Sequence, residues 1–357
     1  MIDGKLLIYS IMIVAVTFYL IKYFITIAPK LGLVDIPNER SSHKRVTPRG
    51  AGVVIGFVFF ISIFLIDTSF ALEHLNALVA IFIVYLCGII DDQKGLSSKV
   101  KFLFIIVSSI IISLDGYVIS SIGTFLGHDI ELSFLAIPFT IFAVVGLTNG
   151  LNLTDGLDGL AGGISAVILT TILIVGIQND DKTLIIIPTI VLSILAGFLL
   201  LNWNPAKVFM GDSGSLFLGF TISFLAIKAL SYVTPTAALF LVAIPVLDTM
   251  IVIRRRLQRG KSPFSADKNH MHHILYKMKR NVKFTVSTII MIQGVFALIF
   301  LQITNSSDIL NVILFLLLYL IFFNLFDPRT RRRHKKKKKK EELKEVTYVE
   351  LLKRENA

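Results

Sequence analysis

Long apolar stretches recur along most of this chain, and they restrict what it can fold into more than any other feature. We count eleven between residues 6 and 326, each close to the roughly 20 helical residues that cross a bilayer core. Only 17% of the chain is charged, against about a quarter in a soluble domain. The sequence therefore predicts an all-α polytopic integral membrane protein with spans near 6–28, 51–72, 74–90, 100–114, 133–148, 159–177, 183–201, 213–229, 236–253, 284–303 and 308–326.

The positions of Lys and Arg predict the orientation of these spans, because cytoplasmic loops retain positive charge. All but four of the 36 Lys and Arg residues fall in segments after odd-numbered spans or in the C-terminal tail; the exceptions are Lys5, Lys22, Lys182 and Lys228. We therefore expect an outside N-terminus and a cytoplasmic C-terminus. The segment 117–132 alternates around two glycines and is a candidate for a short external β-hairpin.

The chain divides into a single transmembrane domain, residues 1–328, and a basic cytoplasmic tail, residues 329–357. The tail is typical of a segment that fixes topology or binds anionic lipid. Without a base-stacking or groove-reading element, nucleic acid is not expected as a partner. Cys87 is the only cysteine, which excludes an internal disulfide and a cysteine metal site.

In the predicted topology, carboxylates gather where the spans reach the cytoplasm. Asp91 and Asp92 end the third span, and adjacent carboxylates at a membrane edge repel each other unless a cation or proton separates them. We expect one to orient Mg²⁺ or a phosphate and the other to act as a base. The alternative is a solvated loop with helix-capping acids. Lys99, in the connection that follows, is a candidate substrate-binding residue.

The segment 149–163 combines two amides, two carboxylates and several glycines. Asp155 and Asp158 are three residues apart, so both can lie on one face of an entering helix, and Asn149 and Asn152 precede them. A helix N-terminus attracts phosphate oxygens, which predicts substrate binding by these four residues. Helix capping is the alternative, but it accounts for only one of the acids.

The segment 202–215 joins the seventh and eighth spans and holds Asn204 and Asp212. A single carboxylate at such a position can bind Mg²⁺, which usually takes one or two carboxylates together with substrate phosphate oxygens. We therefore assign Asp212 to the metal, with Mn²⁺ as an alternative ion, and Asn204 to the substrate. A simple helix cap is the other interpretation of Asp212.

Three histidines, His270, His272 and His273, stand within four residues of one another in the loop after the ninth span. No Cys and no nearby Glu completes a zinc site. We therefore expect the imidazoles to lie beside a diphosphate, an arrangement that agrees better with the acids predicted around them.

Asp248 lies inside the ninth predicted span and either pairs with a basic neighbour or lines the site.

Between the first two spans, Lys44 and Arg45 offer cations for a diphosphate, although topology alone also explains these charges.

These motifs, in this order, resemble the polyprenyl-phosphate N-acetylhexosamine-1-phosphate transferase family over residues 30–290. The resemblance is carried by Asp91-Asp92, the run from Asn149 to Gly159, the run from Asn204 to Ser215, and the histidine loop. It implies a Mg²⁺-dependent enzyme of a bacterial inner (plasma) membrane that takes a nucleotide-sugar donor and a polyprenyl phosphate acceptor and releases UMP. It also implies Asp212 as metal ligand and Asp91 or Asp92 as base, with the histidines as catalytic residues.

The histidine loop narrows the expected donor. The branch that makes the peptidoglycan lipid carries three consecutive histidines followed by an acid, whereas here Met271 separates His270 from His272. This pattern resembles the branch that transfers N-acetylglucosamine 1-phosphate to start O-antigen, enterobacterial common antigen or wall teichoic acid. UDP-GlcNAc is thus favoured over another UDP-N-acetylated sugar or UDP-MurNAc-pentapeptide.

Two further expectations concern the functional class of the protein and its oligomeric state. A transporter is the rival class, but transporters place ionisable groups near the bilayer midplane and often contain repeats. Here the acids lie at one edge and we find no repeat. The sequence leaves a homodimer open.

Overall fold

The computed structural model describes residues 4–37, 45–260, 262 and 270–326, and within them the chain is mostly helical. The predicted tail and Lys44 lie outside these residues. The helices are α1 Gly4–Ile27, α2 Gly52–Ile66, α3 Thr68–Glu73, α4 Leu75–Lys94, α5 Ser98–Leu114, α6 Ala136–Thr154, α7 Leu160–Gln178, α8 Lys182–Asn202, α9 Asp212–Ala229, α10 Ala238–Leu241, α11 Ala243–Leu257, α12 Met271–Lys279, α13 Val282–Ile303 and α14 Asp308–Phe326.

Seven helices in the described part of the chain are long and apolar enough to cross a bilayer, and they make this a multi-pass membrane protein. They are α1 with the 3₁₀ turn that follows it, α4, α6, α7, α8, α13 and α14. The helix α2 is apolar but has only 15 residues. The count of eleven spans stays a prediction.

Two of the predicted spans are interrupted. The stretch 51–72 contains both α2 and α3, because Asp67 begins a new helix by accepting a hydrogen bond from the Phe70 backbone N–H at 2.9 Å. The stretch 236–253 divides into α10 and α11 at Val242. Pro245 lies in the first turn of α11, where its missing N–H costs nothing.

The helix α9 lies at the centre of the protein. Its residues from Ser213 to Leu225 are all buried, and α2, α4, α6 and α7 pack around it. Small residues allow these helices to approach closely: a Cβ atom on Gly88 of α4 would lie 2.5 Å from the Ser213 Cα atom. The first turn of α9 is therefore enclosed by neighbouring helices.

At the far end of α9, the segment 117–132 forms an antiparallel hairpin of β3 (Ser121–Phe125) and β4 (His128–Glu131). The carboxylate of Asp308 in α14 fixes this hairpin. It accepts hydrogen bonds from the Thr124 backbone N–H at 2.7 Å and from the Thr236 hydroxyl. Two shorter strands, β1 (Val34–Asp35) and β2 (Thr47–Pro48), pair near the start of α2.

Candidate active site

The acidic residues meet where α4 ends and where α5 and α9 begin. The helix α4 extends beyond the predicted span 74–90 to Lys94, so Asp91 and Asp92 both belong to its last turns and not to a solvated loop. Successive helical residues point in different directions. Asp91 and Asp92 therefore have different partners.

Asp92 caps the N-terminus of α9. Its side chain is only 5% exposed. Oδ1 accepts a hydrogen bond from the Asp212 backbone N–H at 2.9 Å, and Oδ2 accepts from the Ser213 backbone N–H at 3.0 Å and hydroxyl at 2.6 Å. Gly211 approaches this carboxylate with φ +77°, and a Cβ there would lie 2.6 Å from Oδ2. Both oxygens of Asp92 are engaged in holding α9.

Asp91 faces Asp212 across the ammonium group of Lys101. The Lys101 Nζ lies 3.2 Å from the Asp91 Oδ2 and 2.7 Å from the Asp212 Oδ2. Asp91 also accepts a hydrogen bond from the Leu96 backbone N–H. A cation at this point offsets the repulsion between the two carboxylates.

Lys101 was missed as a site residue by the sequence analysis, which proposed Lys99. Lys99 is exposed, and the structure places Lys101, two residues further along α5, against both carboxylates. The signal was present in the sequence, since Lys101 falls just inside the predicted span 100–114. An ionisable residue inside a span is a functional candidate by default.

The connection between α6 and α7 holds the second pair of acids. Asp155 follows the last residue of α6, and Asp158 comes before α7, which begins at Leu160. The prediction that both lie on one face of an entering helix is therefore wrong. The glycines at 156 and 159 explain the difference, because they favour a turn over a continuing helix.

Asp158 and the asparagines fix the loop between α8 and α9. The Asp158 Oδ2 accepts hydrogen bonds from the Asn204 Nδ2 at 2.8 Å and the Ala206 backbone N–H at 3.0 Å. Asn152 donates to the Ser215 hydroxyl at 2.8 Å. Asn149, one turn earlier on α6, is half-buried. These contacts bring the segments 149–163 and 202–215 together.

Asp155 is a carboxylate whose charged form is disfavoured by its surroundings. Its burial, followed by the neighbouring charges of Asp212, Asp92 and Asp158, raises the pKa of Asp155 to about 7. A divalent cation beside Asp155 and Asp212 would relieve this repulsion, and oxygen donors suit Mg²⁺. Among residues 4–37, 45–260, 262 and 270–326, no three His, Cys, Asp or Glu side chains are grouped so that they could hold a metal ion. Mg²⁺ needs only one or two carboxylates when substrate phosphates complete its coordination.

The three histidines lie together, and His272 packs against the turn that contains Asp155. A Cβ atom on Gly156 would come within 2.3 Å of the His272 Nε2, so only glycine permits this contact. The ring centroid of His272 lies 4.2 Å from that of His273 and 5.8 Å from that of His270. Burial and the neighbouring His273 lower the pKa of His272 to about 3, so its imidazole is neutral at physiological pH.

His270 forms a buried pair with Asp248 of α11. The His270 Nδ1 lies 2.8 Å from the Asp248 Oδ2. Of the two interpretations that the sequence left open for Asp248, the structure shows pairing, with a histidine as the partner. Arg45, by contrast, is exposed, and the structure shows no contact between its side chain and the described carboxylates.

Known proteins are similar in sequence to most of this chain. Residues 74–230 match the family model described as glycosyl transferase family 4. A probable undecaprenyl-phosphate N-acetylglucosaminyl 1-phosphate transferase of Bacillus subtilis is 35% identical over 83% of this chain and 84% of its own length. Undecaprenyl-phosphate alpha-N-acetylglucosaminyl 1-phosphate transferases of Yersinia pestis and Escherichia coli are 32% and 30% identical, each over 70% of this chain and 71% of the relative.

The matched region contains α4 to α9, and with them the Asp91, Asp92, Lys101, Asp155 and Asp212 side chains that converge at one end of the bundle. The similarity to the Bacillus subtilis protein extends over most of both chains. The chain belongs to glycosyl transferase family 4.

Proposed function

We propose that this protein transfers N-acetylglucosamine 1-phosphate from UDP-GlcNAc to undecaprenyl phosphate and releases UMP. The activities for which its relatives are named support this acceptor and this sugar. The product, a lipid-linked diphosphate sugar, would start a cell-surface glycan. The proposal includes eleven spans, an outside N-terminus and an active site at the cytoplasmic face, as the Lys and Arg distribution indicates.

The observation that carries the proposal is the pair of carboxylates, Asp91 and Asp212, held around a cation at the N-terminus of α9. The Lys101 ammonium group stands there in the structure. Phosphoryl transfer needs this combination of positioning and charge neutralisation more than it needs an enzyme nucleophile. A diphosphate and a lipid phosphate bring several negative charges, and α9 and Lys101 offer positive ones.

In the proposed reaction, an oxygen of the lipid phosphate bonds to the phosphorus that carries the sugar. The bond from that phosphorus to the UMP oxygen breaks, and UMP leaves with the electron pair. Asp91 is better placed than Asp92 to take a proton from the lipid phosphate, because both Asp92 oxygens hold α9. Lys101 would then pair with phosphate oxygens.

We assign the divalent metal, Mg²⁺ or alternatively Mn²⁺, to Asp212, with Asp155 as its neighbour. When bound, Mg²⁺ would neutralise charge on the diphosphate oxygens. Asp158 and Asn204 shape the loop beside it through their 2.8 Å hydrogen bond. The neutral His272 holds the histidine segment, residues 270–273, against Gly156, beside the space into which the donor diphosphate would fit.

Release of UMP by the purified protein tests this proposal. We expect UMP only when UDP-GlcNAc, undecaprenyl phosphate and Mg²⁺ are all present, and we expect Asp212→Asn to reduce the rate at least about 100-fold. The matched control is Asp115→Asn, because Asp115 lies exposed in the connection between α5 and β3 and its carboxylate accepts a hydrogen bond from the Asn76 side chain. That variant should keep wild-type turnover.

The donor is tested in the same assay with UDP-GalNAc, UDP-glucose and UDP-MurNAc-pentapeptide. UDP-GlcNAc should give the highest kcat/KM. Faster turnover of UDP-MurNAc-pentapeptide would contradict the proposed donor, and wild-type turnover by Asp212→Asn would contradict the proposed metal site.

A further inference from the structure

Asp248 is a buried carboxylate that joins two helices beside the active site without belonging to the carboxylate cluster. It lies in α11, is only 4% exposed, and accepts two hydrogen bonds from the start of α12. One comes from the His270 Nδ1 at 2.8 Å and the other from the Met271 backbone N–H at 2.7 Å. Each carboxylate oxygen thus has one partner, and both partners belong to the histidine segment.

This arrangement determines the hydrogen position on the His270 ring. A carboxylate can only accept, so the Nδ1 must carry the hydrogen that it donates to Asp248. The Nε2 of a neutral His270 is then an acceptor. The Met271 bond at the same time satisfies one of the free N–H groups in the first turn of α12. Asp248 therefore fixes both the ring and the backbone next to it.

The position of α11 is itself fixed relative to the acidic cluster. A Cβ atom on Gly150 of α6 would lie 2.9 Å from the hydroxyl of Thr249, the residue after Asp248. Asn152, two residues beyond Gly150, bonds Ser215 in α9. A short path of packed groups therefore runs from α9 through α6 to Asp248.

The histidine segment connects Asp248 to the acidic cluster by a second route. The rings of His270 and His272 are nearly parallel, with 11° between their planes, and the His272 Nε2 packs against the Gly156 turn beside Asp155. Arg254, a basic residue further along α11, stacks instead on the Phe323 ring, with its guanidinium carbon 4.0 Å from the ring centroid. The carboxylate of Asp248 is directed to the histidines.

We propose that Asp248 is a positioning residue for the transfer reaction: it holds His270 in the Nδ1–H form and fixes α12 so that the histidine segment faces the Asp155 turn. This inference rests on the proposed function for its kinetic test. Misplacement of a binding or catalytic group by about 1 Å can lower a rate about 100-fold.

The kinetic test is a double-mutant cycle with Asp248→Asn and His270→Gln in the full-length protein. Asparagine has one acceptor oxygen where Asp248 has two. We expect each variant to lower kcat about 100-fold and the double variant to lower it no further, because both changes remove the same arrangement. Effects that multiply, or a wild-type kcat in Asp248→Asn, would overturn the proposal.

Asp308→Asn is the matched control for damage to the fold. Asp308 is equally buried, at 4% exposure, and also accepts one backbone N–H and one side-chain donor, but near the hairpin at the far end of α9. We expect it to lower the melting temperature while its folded fraction keeps the wild-type kcat. Asp248→Glu, which restores two acceptor oxygens, should recover more activity than Asp248→Asn.

A measurement on the wild-type protein separates this proposal from the proposed function. Solid-state ¹⁵N spectroscopy of histidine-labelled protein in lipid, with His270→Gln used for assignment, reports which ring nitrogen carries hydrogen. The Nδ1–H form of His270 supports the pairing with Asp248 even if the protein transfers no sugar phosphate. A neutral His270 with hydrogen only on Nε2 would overturn the proposal.

Discussion

Asp92 caps the helix that begins at Asp212: its Oδ1 accepts a hydrogen bond from the Asp212 backbone N–H at 2.9 Å. Asp92 therefore holds the start of α9, to which Asp212 belongs. Asp91, the residue before Asp92, contacts the same Lys101 ammonium group as the Asp212 carboxylate. Two adjacent aspartates thus serve different purposes. One supports the site, and the other faces into it.

Asp91→Asn and Asp92→Asn should consequently differ in stability. Asp92→Asn places an amide N–H₂ against backbone N–H groups that need an acceptor, which should cost about 1–3 kcal/mol of unfolding free energy. Asp91→Asn should leave the melting temperature near that of the wild type while kcat falls. Thermal unfolding in detergent, measured with UMP release on the same samples, checks both. Equal melting temperatures for the two variants would contradict the assignment.

Replacement of Lys101 should make stability more dependent on divalent cations. In Lys101→Gln the carboxylates of Asp91 and Asp212 lose the ammonium group that lies 3.2 and 2.7 Å from them. We expect slower UMP release and a larger rise in melting temperature on addition of Mg²⁺ than in the wild type. Lys207→Gln, a change at an exposed lysine in the loop before α9, provides the comparison and should match the wild type. A smaller Mg²⁺ effect in Lys101→Gln would count against this account.

Two glycines, one within α6 and one in the turn that follows it, should respond differently to replacement by alanine. In Gly156→Ala the new Cβ would lie 2.3 Å from the His272 Nε2, so the histidine segment must move, at a cost of about 1–3 kcal/mol. Gly146 of α6 has no such neighbour within 4 Å, and Gly146→Ala should change stability by about 1 kcal/mol or less. Activity and melting temperature of both variants test this. Full activity in Gly156→Ala would show that the contact is unimportant.

Asp155 should make the metal-free protein less stable as pH rises. Its pKa is about 7 in the folded protein and 3.8 ordinarily, so between these values the folded state keeps a proton that the unfolded state releases. The contribution of Asp155 to the free energy of unfolding is therefore fully present below pH 4 and is lost as the pH rises toward 7. In EDTA, the melting temperature of the wild type should fall more between pH 5 and 8 than that of Asp155→Asn. Parallel pH curves would contradict the raised pKa.

The sequence was sufficient to predict that these carboxylates gather at one end of the protein, but not which partner each of them has. Composition and motif order predicted helices and one acidic end, and Asp91, Asp155 and Asp212 do converge with Asp92. Adjacent positions such as 91 and 92 look alike in sequence. Their difference arises from the packing of α4 against α9, which involves residues more than 100 positions apart.

Lys101 and Asp158 illustrate the same limit in two ways. The choice between Lys99 and Lys101 depends on which side of α5 faces α4, and a boundary error of two residues is enough to change it. Asp158 was expected on a helix, but the α6–α7 turn directs its carboxylate to Asn204 and Ala206. Turns set by glycine and contacts between distant segments decided both outcomes.

The fate of the phosphate next to the sugar tests the central claim most directly. Purified protein should be incubated with undecaprenyl phosphate, Mg²⁺ and UDP-GlcNAc that carries ³²P in the sugar-linked phosphate. Transfer of N-acetylglucosamine 1-phosphate predicts that the label moves into the lipid fraction in step with UMP release, and that Asp212→Asn slows both at least about 100-fold. Label that stays in the aqueous phase, as UDP or as intact donor, would contradict the account.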